Sequence, residues 1–267
     1  MFLIKVKDFD FGKIFNSGLF YFFYGAGQER KIIAGKKIIK LRFKQIRNLL
    51  HIHCSDGAGA AAASEGAVGS AECALSENEK KLIRNRLRYC FGLDEDMSDF
   101  YSLCGRDRVL KKFLPLIKGT RIISAYSDFE ALVGAIVSQN NSYMHYRRQM
   151  SALYKELNFR SENYLGNLEQ FRLGYKSEYL QNLAAGYGKI PLAEIKGIGA
   201  YSLNLFEIFQ KRNYGAFYID CLLVKIMSKE YGVNSALDDA SKKLWGEWRG
   251  LALAYLQRFF EQKPQNK

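Results

Sequence analysis

Paired cysteines, clustered metal ligands and long apolar runs are all missing from this chain, and each gap removes a class of protein. Its five cysteines, Cys54, Cys73, Cys90, Cys104 and Cys221, are odd in number, scattered and without C-x-x-C spacing. They outline neither a disulfide framework nor a zinc site. The three histidines are His51 and His53, alternating on a predicted strand, and the distant His145; no metal chemistry is expected from them. The longest apolar run, Leu19 to Gly27, falls far short of the roughly 20 residues of a membrane helix, and Met1 to Asp10 carries no secretory pattern. A soluble intracellular protein with no membrane partner is the expectation. Acidic residues are also in deficit. Forty Lys and Arg against 27 Asp and Glu give +13 over 267 residues, a balance that favours a polyanionic partner through phosphate neutralisation. Charge alone does not choose between DNA, RNA and anionic lipid.

The chain divides by pattern. From Met1 to about Ile52, Phe2, Ile4 and Val6 alternate with Leu3, Lys5 and Lys7. The segments Leu19 to Tyr24, Lys31 to Ala34, Lys37 to Phe43 and Leu49 to His53 are aromatic and β-branched, with Gly-rich turns between them. An antiparallel sheet is predicted. Asp56 to Glu72 is Gly/Ala/Ser-rich and reads as a flexible surface loop. Helical signals dominate afterwards, with capping boxes at Ser76-x-x-Glu79 and Ser127-x-x-Glu130. The fold class is α+β: an N-terminal antiparallel β-sheet domain over 1–92, then an all-helical domain over 93–267.

The densest signal lies in Leu192 to Met227. A short helix is predicted there, then the turn Gly197-Ile198-Gly199, then a helix from Ala200 to Gln210 with Leu203, Leu205, Phe206 and Phe209 at helical spacing. Both glycines tolerate positive φ and close backbone approach. The free N–H groups at that helix start form an anion site, with Lys196 beside it. Alternatively the segment is an ordinary packing corner. Further on, Asp220 is a single carboxylate inside the apolar stretch Ala216 to Met227, and as a favoured N-cap it has a structural explanation as well as a chemical one.

The hairpin followed by this acid resembles the helix–hairpin–helix DNA glycosylase superfamily, in which I/P-G-x-G precedes a catalytic Asp that also starts a helix. Tyr201 and Asp220 lie nineteen positions apart, as in that family. Other segments are similar in the same order. Phe15-Asn16-Ser17-Gly18 resembles part of the N-terminal domain of 8-oxoguanine DNA glycosylases, and Phe91-Gly92-Leu93-Asp94 their Y-F-x-L-D junction. Ser138-Gln139-Asn140-Asn141-Ser142 matches the segment that enters the minor groove, and Leu173-Gly174-Tyr175-Lys176 the run whose aromatic wedges beside the orphaned base. Leu244 to Leu256 resembles the W-x-P-W-R helix of 3-methyladenine DNA glycosylase II, with Glu247 in place of Pro.

The resemblance implies Asp220 as the catalytic residue, and a base pocket with Tyr201, Leu253, Gln257 and Gly18. It implies DNA contacts from Lys196, Gly197, Ile198, Gly199, Asn140, Asn141, Tyr175 and Lys176. Bifunctional relatives carry a Lys just after the hairpin; Tyr201 stands there in this chain, and a phenol cannot form a Schiff base. A monofunctional enzyme is therefore implied. Its partner would be double-stranded DNA containing a damaged base, bound by a monomer. No cofactor is required, although a monovalent cation at the hairpin is compatible. No cysteine follows Cys221, so the iron–sulfur loop of the endonuclease III branch is absent. Asn140, Tyr175 and the Ser17-Gly18 segment lean toward 8-oxoguanine; Tyr201 and the Trp245 to Leu256 helix lean toward alkylated purines such as 3-methyladenine, the leading expectation. The 8-oxoguanine set is incomplete, since Leu253 and Gln257 hold its pocket positions and His145 replaces an Arg that reads the orphan cytosine. Two alternatives remain: an 8-oxoguanine glycosylase with AP lyase activity, and a catalytically inactive helix–hairpin–helix DNA-binding protein.

Overall fold

The computed structural model describes residues 1–17, 23–24, 27–34, 37–57, 75–157 and 168–261. It opens with a four-stranded sheet made of β1 (Phe2–Lys5), β2 (Glu29–Ala34), β3 (Lys37–Ile46) and β4 (Leu49–Asp56), with helix α1 (Phe11–Ser17) between β1 and β2. The strand order is β1-β4-β3-β2 and every pairing is antiparallel. Period-two alternation gives the sheet one apolar face. Ile39, Leu41 and Phe43 of β3 and Leu50, Ile52 and Cys54 of β4 are all buried on it. That face is closed by Phe11 and Ile14 of α1, by Phe23, by Ile83 and Leu87 of α2 (Glu77–Cys90), and by Phe91. The rings of Phe11, Phe23, Phe43 and Phe91 pack within 5.5 to 6.4 Å of one another.

Helix α1 departs from the expectation of β structure up to Ile52. Asp10 explains it: its Oδ1 accepts from the amide of Lys13 at 2.9 Å, a helix cap. Phe11 and Ile14, three apart, then fall on one buried face. Gly18 and residues 19–22 of the expected strand Leu19 to Tyr24 lie outside the described residues; Phe23 and Tyr24 are buried and are not strand. The expected loop at 56–72 likewise lies outside the described residues from 58 onward.

The remainder is helical: α3 (Ser98–Arg106), α4 (Leu114–Ile117), α5 (Asp128–Ser138), α6 (Tyr143–Leu157), α7 (Lys176–Gly186), α8 (Ala200–Phe209), α9 (Cys221–Ile226), α10 (Leu237–Trp245) and α11 (Arg249–Glu261). The capping box of α2 forms in full, with the Glu79 amide donating to Ser76 Oγ at 3.2 Å and the Ser76 amide to Glu79 Oε2 at 2.8 Å. At α5 only half of the predicted box exists. Ser127 Oγ accepts from the Glu130 amide at 3.2 Å, but the Glu130 carboxylate turns inward to pair with Arg30 of β2 and accept from Tyr24 Oη at 2.9 Å. Both charges are almost wholly buried, so this pair pins the sheet to α5. Residues 129–137 of α5 are buried all round, as expected of a central helix; α6, α7 and α8 pack against it.

Two apolar clusters divide the helices. One gathers α3, α9 and α11, the other α5, α6, α7 and the Ile195/Ile198 corner. Helix α8 serves both, with Leu205 and Ile208 in the first and Phe206 in the second. The segment Leu244 to Leu256 is not one continuous helix. Gly246, at φ +53°, ends α10 after Trp245, a short 3-10 turn covers Gly246–Trp248, and α11 resumes at Arg249. Trp245 is buried and its Nε1 donates to Asp107 Oδ2 at 2.9 Å.

Candidate active site

The hairpin forms, and its two glycines differ. A 3-10 turn at Leu192–Glu194 leads into Ile195, which with Ile198 anchors the corner in the core. Gly197 has φ +102°, and a Cβ there would lie 2.4 Å from Cγ of Tyr179. Only glycine satisfies both conditions. Gly199, by contrast, has φ −94° and ψ −176°, and nothing within 4 Å of an added Cβ; the expected positive φ is absent there. It is the N-cap of α8 and supplies no side-chain cap to the first-turn amides. Lys196 is exposed, and its Nζ pairs with Glu178 Oε1 at 2.6 Å. Such an exposed pair is worth about 0–1 kcal/mol, too little to keep the ammonium from a phosphate.

Gln139, in the segment Ser138 to Ser142 but without a role assigned from sequence, ties this hairpin to the end of α5. Its Nε2 donates to Gly197 O and to Ser202 Oγ, both at 2.8 Å. The next residue, Asn140, takes the left-handed conformation at φ +50° and is exposed. Its Nδ2 donates to Tyr175 Oη at 3.0 Å. Tyr175 is 47% exposed and packs its ring against Tyr179 at 5.3 Å. Asn140 and Tyr175, 35 positions apart in the chain, thus form one projecting unit.

Two neighbours do not join it. Asn141 turns inward, donating to Val137 O and Gln149 Oε1 at 2.7 Å each. Lys176 is buried at 5% exposure and donates to Val137 O at 2.8 Å. Burial pushes its ammonium down to about 8. The expectation that Lys176 presents a cation to DNA is corrected by this geometry: its amine points inward and caps the Val137 carbonyl near the C-terminus of α5.

Asp220 combines the two roles its position suggests for a carboxylate with two oxygens. One oxygen is structural, since Oδ1 accepts from the Leu223 amide at 2.8 Å and starts α9. The other, Oδ2, accepts from Gln257 Nε2 at 2.7 Å. Burial raises the proton affinity of the carboxyl, amide donors from Leu223 and Leu222 and the Gln257 side chain lower it, and the balance is a raised pKa. Gln257 in turn accepts from Tyr218 Oη at 2.7 Å. The Tyr218 ring meets Tyr201 edge to face at 5.0 Å. The fold therefore gathers Asp220, Gln257 and Tyr201 from α8, α9 and α11, through Tyr218, a residue the sequence reading missed. Leu253, one turn before Gln257 on α11, is wholly buried in the apolar cluster that also holds Tyr218 and against which Tyr201 packs. Among the described residues no group of three His, Cys, Asp or Glu could hold a metal ion, and no helix is long and apolar enough to cross a membrane.

No protein-family model matches the sequence, and no curated protein matches it. Solved structures do. The apo form of an 8-oxoguanine glycosylase/lyase from Clostridium acetobutylicum superposes with TM-score 0.68 at 18% identity, covering 97% of this chain and 99% of that one. The same enzyme in complex with double-stranded DNA containing cytosine opposite 8-oxoguanine gives 0.67 at 18% identity, covering 97% of each chain. A 3-methyladenine DNA glycosylase from Archaeoglobus fulgidus gives 0.73 at 14% identity, covering 97% of this chain and 99% of that one. Over nearly its whole length, this chain has the fold shared by 8-oxoguanine and 3-methyladenine DNA glycosylase structures.

Proposed function

We propose that this protein is a DNA glycosylase of base excision repair that flips a damaged purine out of the duplex and hydrolyses its N-glycosidic bond without cutting the strand. The observation that carries this reading is Asp220: a carboxylate at the start of α9, with one oxygen spent on the cap and the second held by a neutral donor. Departure of the base leaves an oxocarbenium-like sugar, and a fixed anion stabilises that charge and orients the attacking water. Among the described residues no cationic side chain is a partner that sets the charge state of Asp220, and none forms a salt bridge with it.

Binding would use the +13 charge and the α8 amides for phosphates, with Lys196 beside them. The Asn140–Tyr175 unit would occupy the space left by the extruded base and offset part of the unstacking cost. Tyr201, in the place of the Schiff-base lysine of bifunctional relatives, supplies no amine, and Lys176 is committed beneath the loop. An alkylated purine such as 3-methyladenine is the favoured substrate, because Tyr201 and Tyr218 form an aromatic pair that is tied to Asp220 through Gln257. The second reading, 8-oxoguanine, is favoured by the Asn140–Tyr175 unit. The protein would act as a monomer on double-stranded DNA, without a required cofactor and with room for a monovalent cation at the hairpin. The sheet-bearing segment 1–92 would form one domain and 93–267 the other.

The test is a panel of duplexes carrying 3-methyladenine, 7-methylguanine, hypoxanthine, 8-oxoguanine and uracil, scored separately for base release and strand nicking. Release without nicking until heat or alkali is applied, and no adduct trapped by borohydride, is the expected result. Binding without release from any duplex would leave an inactive DNA-binding protein. Trapping by the wild-type protein would overturn the monofunctional mechanism, and Tyr201→Lys asks the converse question by placing an amine after the hairpin.

A further inference from the structure

Both ends of the Gln257 carboxamide are engaged. Its Nε2 donates to Asp220 Oδ2 and its Oε1 accepts from Tyr218 Oη, each at 2.7 Å. The chemistry fixes the direction of this chain. An ionised carboxylate only accepts hydrogen bonds, so the amide must turn its N–H toward Asp220 and its oxygen toward Tyr218, whose hydroxyl must then donate. A flipped amide would set oxygen against oxygen. Tyr218 is itself held, buried at 7% exposure and packed against Tyr201.

We propose that Gln257 and Tyr218 are positioning residues that hold Asp220 Oδ2 in place and in its ionised state. This rests on the glycosylase reading above. Releasing Asp220 would leave a half-buried carboxylate oxygen without its side-chain donor, so the bond holds the carboxamide where it is. The groups that act on Asp220 are the amides of Leu222 and Leu223 on α9 and Gln257 on α11, with Tyr218 behind Gln257 and Tyr201 against Tyr218; among the described residues no charged side chain is a determinant of its titration. Burial already raises its proton affinity, so each donor removed pushes the carboxyl further toward its neutral form, and a neutral carboxyl cannot stabilise the sugar cation.

The experiment measures the titration midpoint of the Asp220 carboxyl by carbon NMR, and the pH dependence of single-turnover base release. It uses the full chain in wild type, Gln257→Leu, Tyr218→Phe and Gln257→Glu. Gln257→Leu should raise the midpoint by about one pH unit or more, and Tyr218→Phe by less. The acidic limb of base release should move in step, with DNA affinity unchanged. Gln257→Glu should give two carboxyls titrating in separate steps, with release falling as the second one ionises beside Asp220. An Asp220 midpoint unmoved in both Gln257→Leu and Tyr218→Phe overturns the proposal; if Gln257→Leu fails to fold, Tyr218→Phe decides it. Shifted midpoints in a protein that releases no base from any duplex would keep the positioning role and reject the glycosylase reading.

Discussion

The two hairpin glycines should respond in opposite ways to one added methyl group. At Gly197, alanine must adopt φ +102° and place Cβ 2.4 Å from the Tyr179 ring. The left-handed conformation costs about 1–2 kcal/mol and the forced overlap about 1–3 kcal/mol. A loss near 3 kcal/mol lowers Tm by roughly 6–12 °C in a chain of this size. Gly197 O also accepts from Gln139, so the displaced hairpin should pull away from α5 and lose DNA affinity as well. At Gly199, φ is −94° and the space beyond Cα is open. Alanine there costs under about 1 kcal/mol as a poorer N-cap and leaves Tm almost unchanged. It does put a methyl where a phosphate would approach the α8 amides. Loss of one hydrogen bond to a charged group weakens binding by about tenfold. Thermal denaturation and fluorescence anisotropy with a duplex at fixed ionic strength separate the two effects. A Gly197→Ala protein that melts like wild type would refute the strain argument, and a Gly199→Ala protein that binds like wild type would refute the phosphate site.

Tyr175→Ala should slow processing of a damaged duplex more than it weakens binding to undamaged DNA, because the ring is needed only once a base has left the stack; equal losses would remove the wedge role. Arg30→Met leaves Glu130 buried without its cation and should cost about 3–5 kcal/mol in urea denaturation, whereas the double change Arg30→Met, Glu130→Leu should cost much less; equal losses would show that the pair is not the pin. For Lys176, the folded pKa of about 8 lies below the ordinary lysine value of 10.5. Between those values the unfolded chain holds a proton that the folded chain has released, so this group makes stability rise with pH across about 8 to 10.5. Subtracting the pH–stability curve of Lys176→Met from that of wild type should isolate the rise, and a flat difference would contradict the burial of the amine.

What could be read from residues alone was local. Asp220 as a cap, the Ser76/Glu79 box and the Gly197 turn each need only a few neighbouring residues, and they appear where the pattern puts them. Helix α1 was missed because Phe11, Ile14 and Phe15 suit a strand by composition; the cue was Asp10, a cap three residues before Lys13. Glu130 matched a capping box by spacing, yet its side chain answers to Arg30, 100 positions away. The same holds at the site. Gln139 reaches Gly197 and Ser202, 58 and 63 positions on, and Tyr218 reaches Gln257 across 39. No local periodicity encodes such pairings, because they depend on how α5, α8, α9 and α11 come together. Lys176 shows the reverse error: a lysine next to an exposed tyrosine suggests a surface cation until packing turns it inward.

The central claim is that the Asp220 charge drives the chemistry and is not merely a helix cap, and Asp220→Asn isolates that charge. Asparagine can still accept from the Leu223 amide, and a turned Gln257 amide can offer its oxygen to the new N–H, so the α9 cap and the fold are kept. Single-turnover base release from a duplex containing the preferred damaged purine, measured beside Tm and DNA affinity, is the direct test. The account predicts a loss of release of at least about 100-fold with affinity unchanged and Tm equal or higher, since a half-buried charge has been removed. Release at the wild-type rate would contradict it and reduce Asp220 to a cap.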